Sequence, residues 1–286
     1  MMINAIYWDV HCEIVNIFGI SLRYYGVLFA GGLLLCGYVL NRIFVKEQLS
    51  IDHLQKLILY GIVGIFAGAR LGHCLFYEPD FYLAHPLEMF LPVAPDFEGG
   101  YRFVGYRGLA SHGGTIGLIV AIIVYSMKTK EKIIRTFDFI AIVAPLGGCF
   151  IRLANLMNSE IIGKPTNESW GFIFAQVDLL PRHPAQLYEA IVYLLIFGLL
   201  YFYLYRYKHV QTGDGFFFGL CLASIFTARF LIEFVKERQV DFEASMKFDM
   251  GQLLSIPFIL TGIVFIVYGL YRKKKIFNNS YPKASI

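Results

Sequence analysis

Seven predominantly apolar runs follow one another along the chain, near 24–41, 57–76, 108–127, 137–157, 187–205, 216–235 and 253–271, and polar segments separate them. Each is close to the roughly 20 residues that a helix needs to cross the hydrocarbon of a bilayer. The pattern predicts an all-α integral membrane protein of about seven transmembrane helices, a single polytopic domain over 1–286 with no separate soluble part. Two longer connecting segments, roughly 77–107 and 158–186, join spans at one face. The first run follows a stretch that holds Asp9 and Glu13 and no early basic cluster, so it does not read as a cleaved signal peptide.

Composition agrees with this reading. Hydrophobic residues make up 57% of the chain and charged residues only 16%, against about 25% in a typical soluble domain. Mean hydropathy is +0.58. The Lys and Arg in the connecting segments set the orientation, because cytoplasmic loops retain the excess. With the N-terminus outside, the inner segments hold fourteen: Arg42, Lys46, Lys56, Lys128, Lys130, Lys132, Arg135, Arg206, Lys208, Arg272, Lys273, Lys274, Lys275 and Lys283. The outer segments hold eight: Arg23, Arg102, Arg107, Lys164, Arg182, Lys236, Arg238 and Lys247. N-out and C-in is the expected topology, with the 77–107 and 158–186 segments on the outer face. The net charge of +4 is accounted for by anchoring to anionic inner-leaflet lipid, without a nucleic-acid footprint. Five scattered cysteines, Cys12, Cys36, Cys74, Cys149 and Cys221, form no CxxC pair and read as small buried apolar residues. Neither metal-ligand spacing nor a GxSxG nucleophile elbow occurs.

Three arginines fall in no loop. Only thirteen residues separate Asp138 from Arg152, so the fourth span reaches membrane length by carrying Arg152 and Asn155 inward. Fourteen separate Asp214 from Arg229, and the sixth span likewise takes in Arg229 and Glu233. The third needs Ser111, His112, Gly113 and Gly114. An intramembrane charge costs roughly 2.5–3.5 kcal/mol at a helix centre, which usually marks function. Under the expected topology, outward-running spans carry Arg70, Arg152 with Asn155, and Arg229 with Glu233 near their ends. Inward-running spans carry Tyr25, His112 and Glu189 near their beginnings. All six groups then share one depth, which predicts a polar intramembrane cavity near the outer leaflet, capped by the outer-face loops.

Helix geometry refines these positions. Arg229 and Glu233 stand four apart and can pair on one face, and Arg152 shares a face with Asn155. Arg70 lies in a series, Gly64, Gly68 and Gly72, whose spacing suits close helix packing. The segment from His112 to Gly117 opens a helix whose free N–H groups suit an anion. In isolation His112 reads as an interfacial capping residue, and in the polar cluster as a functional one. His183-Pro184-Ala185-Gln186-Leu187-Tyr188-Glu189 begins the fifth span, with Pro184 suited to a first helical turn.

These residues resemble the prolipoprotein diacylglyceryl transferases. The family signature, G-R-x-G-N-F-x-N-x-E followed by a glycine, is matched by Arg152, Asn155, Asn158, Glu160 and Gly163. Further matches run through the chain in order: Tyr24-Tyr25-Gly26, Arg70 and Tyr77, His112-Gly113-Gly114 with Gly117, His183-Pro184 through Glu189, Arg229 with Glu233, and Met250-Gly251-Gln252. Ile151, Ala154, Leu156, Ile225 and Arg23 depart from the family pattern.

The resemblance implies an enzyme of the bacterial inner membrane with its site toward the outer leaflet. It would move the diacylglyceryl group of phosphatidylglycerol to the signal-peptide cysteine of a prolipoprotein, forming a thioether and releasing glycerol-1-phosphate. The thiol must become thiolate, and His112 is the expected base. The leaving phosphate needs permanent, forked donors, for which Arg152 and Arg229 are the candidates. Glu233 and Glu160 would orient the arginines, and Tyr25, Asn155 and Asn158 would bond the lipid head group, with Arg70 and Gly163 also in the substrate site. No metal or diffusible cofactor is required. A lipid transporter or flippase is the alternative from another class, but it should show polar groups at both depths and repeated halves. An intramembrane protease lacks its Ser–His or paired-Asp arrangement.

Overall fold

The computed structural model describes residues 5–17, 20–96, 100–103, 108–207, 213–238 and 246–280. Of the loop cations counted above, Arg107, Lys208 and Lys283 lie outside the described residues. Among the described residues, seven helices are long and apolar enough to cross a membrane: Tyr24–Lys46, Ile51–Phe76, Ser111–Thr129, Ile133–Met157, Ala185–Arg206, Phe216–Val235 and Met250–Lys273. Many of their large apolar side chains are exposed, among them Leu34, Leu195 and Val264, as lipid-facing positions require.

The chain divides into two compact units, one of residues 1–42 and 137–286, the other Ile43–Thr136. The second unit is built on α2 (Ile51–Phe76) and α5 (Ser111–Thr129), joined through α3 (Pro79–Ala84), α4 (Pro86–Phe90) and a hairpin of β4 (Val93–Pro95) with β5 (Tyr101–Phe103). Helix α2 starts six residues before the apolar run, because its first turn is polar. Ser50 Oγ accepts from the Asp52 N–H at 3.2 Å, and Asp52 complements the helix dipole. The glycine series does pack. A Cβ on Gly64 would meet the Gly117 carbonyl at 2.5 Å, and one on Gly72 would meet Gly113 Cα at 2.8 Å. Glycines from both helices thus let the two backbones touch.

The first unit holds α1 (Tyr24–Lys46) as far as Arg42, α6 (Ile133–Met157) from Phe137, α7 (Ala185–Phe197), α8 (Phe216–Ile232) and α9 (Met250–Ser280). Gly198–Tyr207 continues α7 with π-helical winding. Helices α8 and α9 meet through small residues: a Cβ on Gly219 would meet the Gly262 carbonyl at 2.6 Å, and one on Gly262 would meet Ala223 N at 2.6 Å. Asp138, near the start of α6, caps α8 from the side. Its carboxylate accepts from the N–H groups of Gly215 (2.7 Å) and Phe218 (2.8 Å), donors that have no partner within their own helix.

The connecting segments carry strands that the apolar pattern did not predict. β1 (Ile6–Trp8) runs parallel to β6 (Phe172–Phe174), which pairs antiparallel with β7 (Pro181–Arg182), and β2 (Glu13–Ile17) forms a hairpin with β3 (Ile20–Arg23). A small core of Leu156, Ile162, Phe172 and Phe174, with Trp8 and Leu187 against it, joins the first of these sheets to the end of α6. Buried Arg182 pins the β6–β7 turn. It donates to Asp178 at 2.5 and 3.0 Å and to the Gly163 carbonyl at 3.3 Å, and it pairs with Glu237 at 2.9 Å. The Arg182 guanidinium holds the Asp178 carboxyl below its ordinary range, and Asp178 in turn raises that of Arg182. A depressed carboxylate stabilises the fold above its unfolded pKa and ceases to do so as pH falls through the lowered value. The thermal midpoint of Asp178→Asn is therefore expected to lie below that of wild type at neutral pH. The gap should close below about pH 4, and a gap unchanged by acid would refute this account of the turn.

Candidate active site

The last two turns of α6 place Arg152 and Asn155 on one face, and the helix then stops abruptly. Ser159 (φ 53°) and Ile161 (φ 58°) both adopt left-handed backbone, an unusual conformation for a β-branched residue. The reversal folds Glu160 back over the helix end, where its carboxylate accepts from Asn155 Nδ2 at 2.9 Å and Asn158 Nδ2 at 3.0 Å. Asn155 Oδ1 accepts from Arg152 Nη1 at 3.2 Å. Three of the signature polar residues thus form one chain of bonds from Arg152 to Glu160, with Asn158 joining at its end. The Tyr25 phenol, in the first turn of α1, lies within electrostatic reach of Glu160 and Arg152.

Helix α7 supplies the opposite edge of Arg152. Glu189, whose side chain is fully buried, brings Oε2 to 2.7 Å from Arg152 Nε. Its other oxygen lies 3.9 Å from Lys236 Nζ, which also bonds Glu233 Oε2 at 3.3 Å. Arg152, Glu189, Lys236 and Glu233 therefore form an alternating, self-neutralising series. Lys236 is only 4% exposed, although the charge count places it in an outer loop. The signal for it in the sequence was its spacing from Glu233, three residues on.

The expected Arg229–Glu233 pair does not form. The Glu233 N–H still donates to the Arg229 carbonyl, so the i,i+4 backbone relation holds, but the Glu233 carboxylate pairs with Lys236, which follows the 3-10 turn Glu233–Val235. Arg229 remains half-buried with no carboxylate partner among the described residues, yet close enough to act with Arg152 and Glu189 on the Tyr193 phenol.

This cluster gathers the beginnings of α1 and α7 and the ends of α6 and α8 at one end of the first unit, and the comparisons with known proteins bear on the same residues. A family model described as prolipoprotein diacylglyceryl transferase matches residues 13–268. The chain belongs to the prolipoprotein diacylglyceryl transferase family. A phosphatidylglycerol--prolipoprotein diacylglyceryl transferase of Bacteroides fragilis is 52% identical over 274 residues, covering 96% of this chain and 98% of the relative. Enzymes of the same name from Chloroherpeton thalassium and Tolumonas auensis are 45% and 43% identical, covering 92% and 94% of this chain and 94% and 100% of the relatives.

Within that family frame, two of the departures in the signature have local explanations. Ala154 is fully buried, and Leu156 fills the core under β6 while its carbonyl accepts from Trp8 Nε1 at 3.2 Å. Nothing in the structure explains Ile151 or Ile225. Gly163 is a crossing point: its N–H donates to the His183 carbonyl at 2.8 Å, and an added Cβ would meet His183 Cβ at 2.6 Å and the Val235 carbonyl at 2.7 Å. It holds the chains that carry Glu189 and Lys236 together, a role its place in the signature did not reveal. Gly163→Ala is expected to lower the thermal midpoint by about 2–12 °C, since overpacking costs typically 1–3 kcal/mol. A variant as stable as wild type would show that the crossing has room to spare.

Arg70 and His112 belong to the second unit. Arg70 is buried and donates to the carbonyls of Met89 (3.1 Å), Glu88 (2.5 Å) and Gly108 (3.4 Å), with its guanidinium 4.8 Å from the centre of the Tyr82 ring. His112 is exposed in the first turn of α5, without a hydrogen-bond partner among the described residues.

Proposed function

We propose that this protein transfers the diacylglyceryl group of phosphatidylglycerol to the signal-peptide cysteine of a prolipoprotein, at the outer leaflet of a bacterial inner membrane. The observation that carries the reading is the contrast between Arg152 and Arg229, the two arginines that the spans of the first unit carry inward. The series through Arg152 is neutral by itself, so Arg229 is left as a forked cation for the anionic phosphate. The cysteine thiolate attacks the glyceryl carbon, a C–S bond forms, and the C–O bond to phosphate breaks. The electron pair leaves with glycerol-1-phosphate, whose growing charge Arg229 stabilises. Arg152, held at Nε and Nη1, presents its remaining edge, while Tyr25, Asn155, Asn158 and Glu160 line the head-group side. Glu233 acts through Lys236, and Gly163 through the chain crossing it makes. Arg70, with its donors on three carbonyls, positions the segment around Met89. The excess of basic residues in the segments assigned to the inside supports an N-out, C-in topology with this end of the helices outward.

Purified protein given phosphatidylglycerol and a peptide bearing the lipoprotein-signal cysteine should add the diacylglyceryl mass to the peptide and release glycerol phosphate. A peptide that stays unmodified sinks the reading. The thiol proton goes to His112, so His112→Ala should slow transfer at neutral pH by about 10²–10⁴-fold and recover part of the rate as pH approaches the thiol pKa near 8.5. Full activity at pH 7 would remove His112 as the base.

A further inference from the structure

Gln186 stands in the first turn of α7 with its side chain fully buried, and neither its amide oxygen nor its amide nitrogen finds a hydrogen-bond partner among the described residues. A buried amide left unpaired is costly, and native structures seldom keep one without a reason. Its position is also specific. Gln186 lies three residues before Glu189 and seven before Tyr193, on the stripe of α7 that faces α6, where a Cβ on Gly148 would meet the Tyr193 ring at 3.0 Å. Glu189 holds Arg152 on that stripe. Gln186 is thus about one helical turn from the residue that holds Arg152, on the head-group side of the site.

We propose that the Gln186 amide recognises the free hydroxyl groups of the glycerol head of phosphatidylglycerol. This inference rests on the function proposed above and adds the origin of its head-group selectivity. An amide offers a donor and an acceptor together. Phosphate and ester carbonyls only accept, so either would leave the NH₂ bonded and the carbonyl orphaned. A vicinal diol supplies both complements. Gln186 is then a specificity-determining residue, and its unpaired state is the cost of leaving that position ready for substrate.

The test compares phosphatidylglycerol with phosphatidylpropanol, which has the same phosphodiester charge and no hydroxyls, in wild type and in Gln186→Met, whose side chain is similar in length and apolar. Wild type is expected to show the lower KM for phosphatidylglycerol. In Gln186→Met that KM should rise about tenfold to a hundredfold, the loss of two neutral hydrogen bonds in a buried site, to the level of phosphatidylpropanol, which itself should not move. The lipid-free variant should melt no lower than wild type, because an unpaired amide has been removed. A wild type indifferent to the hydroxyls overturns the proposal even if the variant fails to fold. So does an equal rise for both lipids with a lowered melting point, which marks a structural amide, or a rise confined to the peptide KM, which marks a peptide contact. Retention of the two lipids by the purified protein, read by native mass spectrometry, needs no transfer. Selective retention without peptide modification would refute the transferase reading alone, whereas transfer without selective retention would refute the role of Gln186 alone.

Discussion

Arg229→Gln is expected to lower turnover by about a hundredfold to a thousandfold while leaving the thermal midpoint nearly unchanged, since one positioned donor is being removed from developing charge. The two halves of that expectation come from one fact. Arg229 is half-buried and pairs with no carboxylate among the described residues, so its removal orphans no anion. What it does must be done in the presence of an anionic substrate. Arg229→Lys should recover only part of the rate, because a point charge cannot copy a fork of donors. Initial rates of peptide modification and a melting curve on the same preparation decide the matter. Turnover within about threefold of wild type, less than 1 kcal/mol of transition-state stabilisation, would take Arg229 out of the reaction.

Arg152→Ala should behave in the opposite way with respect to stability. Its partner Glu189 is fully buried, and removing the guanidinium leaves that carboxylate facing only Lys236 at 3.9 Å. Breaking a buried pair by deleting one member typically costs about 3–5 kcal/mol. The double variant Arg152→Ala with Glu189→Gln should therefore recover much of the lost stability without recovering activity, a coupling that a double-mutant cycle measures directly. If the double variant is no more stable than the single one, the pair is not what holds α6 to α7 at this end. The two arginines, indistinguishable as intramembrane charges, are thus separated by what stands beside them.

That separation shows where sequence reasoning stopped. Span number and type were legible because membrane length and apolarity act on every residue of a span, and the 216–235 run coincides with its helix. Ends were less legible. The polar first turn of α2 belongs to the helix through a cap that hydropathy does not register. The strands β1, β6 and β7 are two or three residues long, too short for alternation to appear, and β1 is specified by pairing with β6 across more than 160 residues of chain. Within the site, residue types and rough depth came from the cost of burying charge, but partners did not. Glu233 was expected on Arg229 and lies on Lys236, because a 3-10 turn beyond the helix brings beside the carboxylate a cation that the four-residue spacing does not register. Arg70 was read as a substrate group, and its donors lie on main-chain carbonyls such as those of Glu88 and Met89, which only the folding of α4 against α2 brings near. Gln186 was visible as a residue in a motif, and only burial without a partner gave it a meaning.

The cap on α8 has a consequence for how this protein is made. Asp138 and Gly215 are separated by 77 positions, so in a chain synthesised from its N-terminus α6 reaches the membrane before the amides it serves exist. At bacterial rates of about 5–20 residues per second, that interval is on the order of 4–15 s. For those seconds the carboxylate must be kept near the aqueous edge by water or by the insertion machinery. The arrival of Gly215 and Phe218 then ends the wait, and the fourth and sixth spans are fastened in an order that translation itself imposes.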